Sequence, residues 1–324
     1  MDEMSQPDSY FGISPLLIIP ETLGSFAVYL KQRGRYVLYS GKEESFTDKH
    51  RQKLHDFGIS EVYVDASDKE SFDTYIESNI GEVIGNEKLP LEERSKVYYD
   101  TSQNIMSNLY DKIFEGKAPA KNFQRVNHLV KESLSFLQNE ESLKALGKFI
   151  SHDYKTYSHS MHVFYYTTAI LSALGVDNKT IFYTGVGAML HDIGKSTIPQ
   201  GIITKPDKLN DRERSIMDTH SLQGVGIVTN MALHQISLNC ILFHHEKIDG
   251  SGYPSGIFGE AIPKYVRVLT ICDIYDALVS ERPYAKAKTP FEALTTMKKF
   301  MNKKIDLDIF KTLINVLSGA ELIG

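Results

Sequence analysis

The spacing of apolar residues changes character near position 89. Before it, they come in short runs bounded by Pro, Gly and polar clusters. Residues 15–20 (PLLIIP) read as a buried strand, residues 26–31 (FAVYLK) as part of a helix closed by Gly34, and residues 35–40 (RYVLYS) alternate with the two-residue period of a strand. Thr47 is placed to cap a helix that runs to Phe57 and stops at Gly58, and residues 61–66 (EVYVDA) make a third strand. Strands separated by helices predict a tail over residues 1–12 and then a small α/β domain over residues 13–84, with a parallel or mixed sheet.

Past position 89, apolar residues recur every three or four places, which gathers them on one face of a helix. Segments 91–114, 123–149, 161–174, 179–190, 211–230, 234–244, 261–279 and 291–301 carry this pattern. They predict a mainly α chain whose second domain, residues 85–324, is all-helical. It divides into a helical lead-in at 85–150 and a core at 150–300, where side chains from facing helices can converge.

Composition narrows the class. The chain has 324 residues, 42% of them apolar and 24% charged, enough to bury a core in each of two domains. Its first ten residues are acidic and polar, and the apolar run at 15–20 is too short for a secretory signal or a membrane span, so a cytoplasmic location is expected. Cys240 and Cys272 lie in apolar runs and read as reduced core residues. The net charge of -5, about -7 of it within residues 1–84, argues against a broad nucleic-acid or membrane surface and is compatible with a small anionic substrate on the second domain. The first domain carries no phosphate-binding glycine loop, metal cluster or nucleophile motif, and is expected to regulate or dimerise.

The chemistry gathers between His159 and Asp273. His191-Asp192 ends an apolar helix and is followed by Ile193-Gly194-Lys195, with His159 and His220 on either side, a His244-His245 doublet, and Asp273 inside the apolar run 268–279. Imidazole and carboxylate ligands suit divalent iron, manganese, cobalt or zinc, and a carboxylate can bridge two ions, so five histidines and two aspartates suffice for a dinuclear site. A carboxylate flanked by Ile271, Cys272, Ile274 and Tyr275 is costly to bury without a cation, which favours a ligand role for Asp273. Asp276 suits a helix-capping or arginine-bound role, and His50, His55, His128, His152, His162 and His234 read as ordinary surface or core residues. Lys195 is placed to neutralise charge on phosphoryl oxygens. Asp249, Gly250, Gly252 and Pro254 shape a tight turn, in which Tyr253 either stacks on a base or pins the loop.

Residues 244–254 (HHEKIDGSGYP) fit the H-H-E-x-x-D-G-x-G-Y-P signature at each fixed position, and the sequence resembles the HD-GYP family. His159-Ser160, Leu190 to Lys195, Lys205-Pro206, Lys208-Leu209, His220 with Gly224, Asp273 to Leu278 and Arg282-Pro283-Tyr284 follow in the same order. The resemblance covers residues 150–300. It implies a metal-dependent phosphodiesterase that hydrolyses cyclic di-GMP, or a related cyclic dinucleotide, to pGpG or GMP. It also implies two divalent ions, iron first and manganese next. His159, His191, Asp192 and Asp273 would hold one, and His220, His244 and His245 the other, with Asp192 as bridge and Lys195, Tyr253, Arg282 and Lys286 toward substrate. The sequence departs from the family at Lys155, where tyrosine or glutamate is usual, and at Ala285, where a basic residue is usual. Lys155 therefore either meets a phosphate or occupies substrate space. These departures keep a second reading in view, a metal-bearing receptor of weak activity that signals to a partner protein through the first domain. A di-iron oxygenase on the same scaffold is opposed by the intact Gly-Tyr-Pro loop.

Overall fold

The computed structural model describes residues 9–22, 24–42, 44–115, 120–150, 156–282 and 286–323. Backbone contacts divide the chain into two compact units, Met1–Thr101 and Ser102–Gly324.

The first unit holds a four-stranded sheet of β1 (Tyr10–Ile13), β2 (Val28–Gln32), β3 (Arg35–Ser40) and β4 (Val62–Asp65), in the order β1-β4-β2-β3. Its pairings are antiparallel, against the parallel or mixed expectation. The difference starts at Gly34, expected to close a helix. Arg33 (φ 49°) and Gly34 (φ 82°) form a two-residue turn of the kind that matches strand twist, so residues 26–31 supply β2 of a hairpin with β3. A six-residue apolar run does not distinguish helix from strand, and here the turn decides it. Residues 15–20 are apolar because they are buried, not because they pair. Pro15 lacks an N–H, the Ser14 side chain accepts from the Leu16 N–H, and a 3-10 turn forms over Pro15–Leu17, with Leu17 and Ile18 in the core. β1 falls largely within the segment read as a tail. Helix α1 (Asp48–Asp56) begins after Thr47 as expected, α2 (Lys69–Ser78) sets Phe72 against Phe11 of β1, and α3 (Ile80–Gly85) follows.

Helix α4 (Leu91–Phe114) has the bounds that periodicity predicts. The second unit continues through α5 (Ala120–Leu137), α6 (Glu140–Gly147), α7 (Thr156–Ala173), α8 (Asn178–Leu190), α9 (Gln200–Ile203), α10 (Asp211–Met217), α11 (His220–Val228), α12 (Gln235–Phe243), α13 (Lys264–Val279), α14 (Pro290–Phe300) and α15 (Leu307–Gly319). Two expected helices are each split. Asn139 caps α6 through the Ser142 N–H, and the chain breaks at Asp218-Thr219 so that His220 opens a new helix. Helix α15, capped by Asp306, lies beyond the last predicted segment. Helices α7 and α8 pack on one another, α12 packs on α8, and α13 on α7. Most of the length of α7 and α8 is buried, so these two helices form the centre of the bundle.

Candidate metal centre

The helices that meet at the centre bury apolar side chains together with several polar ones. His159 sits in the first turns of α7, His191 and Asp192 at the end of α8, His220 at the start of α11, His244-His245 just past α12, and Asp273 midway along α13. Five of the seven lie at helix ends, where the chain turns, and side chains from five helices, α7, α8, α11, α12 and α13, come together. Gly194 makes one of these approaches possible. A Cβ there would stand 1.9 Å from the His220 carbonyl oxygen and 2.5 Å from the Gly224 nitrogen, so only glycine lets the 3-10 turn Ile193–Thr197 bring Asp192 against α11.

His159, His191, Asp192, His220 and His244 are each at most 1% exposed and Asp273 6% exposed, so water does little to solvate this cluster. Asp192 lies in the middle. Its Oδ2 is 3.6 Å from His159 Nε2 and 3.5 Å from His191 Nε2, while its Oδ1 is 3.4 Å from His220 Nε2 and 3.8 Å from His244 Nε2. One carboxylate thus turns an oxygen to each of two histidine pairs. Asp273 Oδ1 is 3.0 Å from His159 Nε2 and its Oδ2 is 3.6 Å from His245 Nδ1.

The outward nitrogens set the tautomers. Nδ1 of His191, His220 and His244 lies 2.7, 2.7 and 2.9 Å from the carbonyl oxygens of Ala188, Met217 and Ile241, which only accept, so the proton is on Nδ1 and the Nε2 lone pair faces inward. The Met217 carbonyl is available because α10 ends there, which gives the unpredicted helix break a use. The inward atoms are left in need of a cation. His220 Nε2 and His244 Nε2 face each other at 3.1 Å, and buried His191 Nε2 and Asp192 Oδ1 have no hydrogen-bond partner among the described residues.

Charge states agree with this geometry. Burial pushes His191 and His220 down, drives His244 well below the usual imidazole range with His245 beside it, and takes His245 to about 3. Burial alone would push Asp192 up, but the Lys195 ammonium and the imidazoles around it hold it well below the usual carboxylate range. Asp273 likewise resists burial through its hydrogen bond to His159. Neutral imidazoles and ionised carboxylates are the forms that bind metal. Ligand atoms of His159, His191 and Asp192 lie within 4.8 Å of one another, and so do those of Asp192, His220, His244 and His245, which makes two groups joined at Asp192. The residues present fit two divalent ions.

A cavity of about 420 Å³ opens beside the second group and is lined by Lys195, His220, His245, Tyr253 and Arg282, together with Arg214. Lys195 Nζ lies 2.5 Å from Asp192 Oδ2, so the lysine is tied to that carboxylate as well as facing the cavity, a pairing the sequence did not suggest. Tyr253 packs its ring 4.7 Å from that of His245. Its loop is built as a unit. Asp249 accepts from the Ser251 N–H and hydroxyl, Gly250 has φ 77°, and the Tyr253-Pro254 bond is cis. A Cβ on Gly252 would stand 2.5 Å from Glu246 Cα and the His245 carbonyl, so the loop folds back directly on the His244-His245 segment. Lys286 is exposed and is not among the residues lining the cavity. Lys155, Pro283, Tyr284 and Ala285 lie outside the described residues.

Three further residues pack at the centre without having been given a role in it from the sequence. Asp276 neither caps a helix nor binds an arginine, and its Oδ2 instead lies 2.7 Å from His159 Nδ1. His162 Nδ1 is 3.2 Å from the other oxygen of Asp276. Each stands three residues after a ligand on its own helix, and that spacing was the available signal. Glu246 is 1% exposed and accepts from the Ser255 and Gly256 N–H groups, anchoring the far side of the Gly-Tyr-Pro loop.

Residues 127–309, more than half of the chain, match the HD domain family, and the chain belongs to that family, with the HD-GYP signature. It is 32% identical over 186 residues to cyclic di-GMP phosphodiesterase PA4108 of Pseudomonas aeruginosa, covering 57% of this chain and 45% of that protein. It is 34% identical over 163 residues to 3'3'-cGAMP-specific phosphodiesterase 3 of Vibrio cholerae, covering 50% and 35%. The chain therefore spans less than half the length of these curated relatives. In fold it is similar to Bd1817, an HDG"Y"P protein from Bdellovibrio bacteriovorus, with a TM-score of 0.64 at 19% identity over 95% of this chain and 99% of that one.

Proposed function

We propose that this chain is a two-metal phosphodiesterase for cyclic dinucleotides, acting on cyclic di-GMP or a mixed relative such as 3'3'-cGAMP and releasing the linear dinucleotide pGpG, GMP, or both. The observation that carries it is Asp192, buried, with one oxygen toward each histidine pair and a cation-lined cavity alongside. The relatives are named as phosphodiesterases, so the receptor reading is not favoured.

His159, His191, Asp192 and Asp273 would hold one ion, and His220, His244 and His245, with Asp192, the other. Iron is the first candidate and manganese the second. When bound, two such ions supply an activated water and a clamp for phosphoryl oxygens. The chain's own part is positioning and electrostatics. Lys195, beside Asp192 at the cavity wall, is placed to meet charge that grows on the phosphoryl oxygens. Arg282 and Arg214 supply further positive charge to an anionic ligand, and Tyr253 offers a ring face for a guanine. Glu246 holds the Tyr253 loop closed on His245.

The same proposal assigns residues 13–84 a regulatory or dimerising role toward a partner signalling protein, and places the chain in the cytoplasm. No described helix is long and apolar enough to cross a membrane. A larger hollow of about 980 Å³ lies in the first unit, among Ile13, Leu16, Leu54 and Phe72, but it holds none of the His and Asp clusters found among the described residues.

The test is purification without oxygen, a metal count per chain, and chromatography of cyclic di-GMP and 3'3'-cGAMP after incubation. Two ions and conversion of at least one nucleotide are expected. Full metal occupancy with both nucleotides intact would defeat the assignment.

A further inference from the structure

Four imidazoles at the centre turn Nδ1 outward, yet only one of the four meets a formal charge. His191, His220 and His244 face backbone carbonyls, whereas His159 Nδ1 faces Asp276 Oδ2 at 2.7 Å. Asp276 is 0% exposed. It lies one turn beyond Asp273 on α13, so a single helix face presents one carboxylate to each nitrogen of the same ring. Ser280, a further turn along, donates its hydroxyl to Asp276 Oδ2 at 3.2 Å, and His162, one turn beyond His159 on α7, brings Nδ1 to 3.2 Å from Oδ1. Two helices thus clasp through paired residues at three-residue spacing. The carboxylate at the middle of the clasp has a hydroxyl and two imidazoles to hold it.

We propose that Asp276, steadied by His162 and Ser280, is a positioning residue that makes the two halves of the metal centre unequal, the half with His159, His191 and Asp273 binding a divalent ion more tightly than the half with His220, His244 and His245. This rests on the two-metal reading above. A carboxylate behind a ligating imidazole fixes the ring and strengthens the donor atom, and a backbone carbonyl fixes the tautomer with only a partial charge. The distribution of charge points the same way. Asp192 is shared, Asp273 lies closer to His159 (3.0 Å) than to His245 (3.6 Å), and Asp276 adds its charge behind His159 alone. The other half has neutral imidazoles and faces the cavity with its lysine and arginine side chains.

The experiment is a titration of the metal-free full chain with Mn²⁺, followed by calorimetry and by the electron paramagnetic resonance signal of free Mn²⁺. Wild type is expected to bind two ions in steps separated by about tenfold or more. Asp276→Asn keeps the shape and removes the charge, and should weaken the tight step by about 10–100-fold while sparing the weak one. His162→Asn should act on the same step to a smaller degree. Should Asp276→Asn fail to fold, ligand variants still decide: His191→Gln must remove the tight step and His245→Gln the weak one. Two equal steps in wild type, or an Asp276→Asn variant that weakens both steps alike or neither, would overturn the proposal while leaving the two-metal reading in place. No Mn²⁺ binding by wild type would end both.

Discussion

The two units treat buried acidic side chains in opposite ways. In the first, Asp68 is the one carboxylate among the described residues that is classed as buried, and its charge is met at 2.5 Å by Lys42, whose side chain is 55% exposed and reaches in from solvent. In the second, Asp192, Glu246, Asp273 and Asp276 are all buried, and Asp192 and Asp273 lie beside imidazoles that burial keeps neutral, those of His191, His220, His244 and His245. An ion pair reaching to the surface satisfies one acid at little cost, but a group of acids and lone pairs shielded from water is costly unless a cation joins it. The second unit therefore holds the candidate metal centre although the larger hollow is in the first. A cavity shows where a ligand has room, and unmatched buried lone pairs show what kind of ligand is missing.

The largest effect that would sharpen this contrast comes from Asp192. Asp192→Ala should release both metals and abolish turnover, because the two ligand groups share only that residue. Metal analysis that finds both ions still bound would break the bridging model. Lys195→Ala should keep both metals and lose at least about tenfold in turnover, one well-placed charge in such a site being worth on the order of 2 kcal/mol or more. Steady-state kinetics on metal-replete protein decide this, and unchanged turnover would make the lysine a partner of Asp192 only. Glu246→Ala removes the acceptor of the Ser255 and Gly256 N–H groups, which stand on exposed residues and can turn to water, and should cost about 0.5–1.5 kcal/mol in urea unfolding, with a higher KM as the Tyr253 loop loosens. Metal content should hold. The smallest effect belongs to the first unit, where Asp68→Ala should lower the thermal midpoint slightly and leave metal content and turnover as they were. A loss of metal in that variant would contradict the separation of roles.

Much of this arrangement was legible in the sequence, and the misses have two causes. The helix Leu91–Phe114 was readable to its ends because 24 residues of steady period outvote local ambiguity. The seven ligand candidates could be named because they stand in the order of the HD-GYP motifs, and the structure brings them to one centre. The hairpin of β2 and β3 was not readable from a six-residue apolar run, since Gly34 serves equally as a helix stop or a turn. The break before His220 was hidden because α10 and α11 carry continuous apolar spacing, and only the tertiary need to aim His220 at Asp192 interrupts it. Asp276 and His162 were passed over for a different reason: their partners come from another helix, at separations of 117 and 114 residues, which no local pattern records.

The central claim is that one carboxylate, Asp192, joins two metal ions at the heart of the helical unit. It is tested most directly by electron paramagnetic resonance of the metal-free protein reloaded with two equivalents of Mn²⁺. The account predicts a spin-coupled pair, with the signal of isolated Mn²⁺ largely suppressed and restored when only one equivalent is added. Two equivalents bound with two full, uncoupled Mn²⁺ signals would place the ions apart and contradict a shared Asp192.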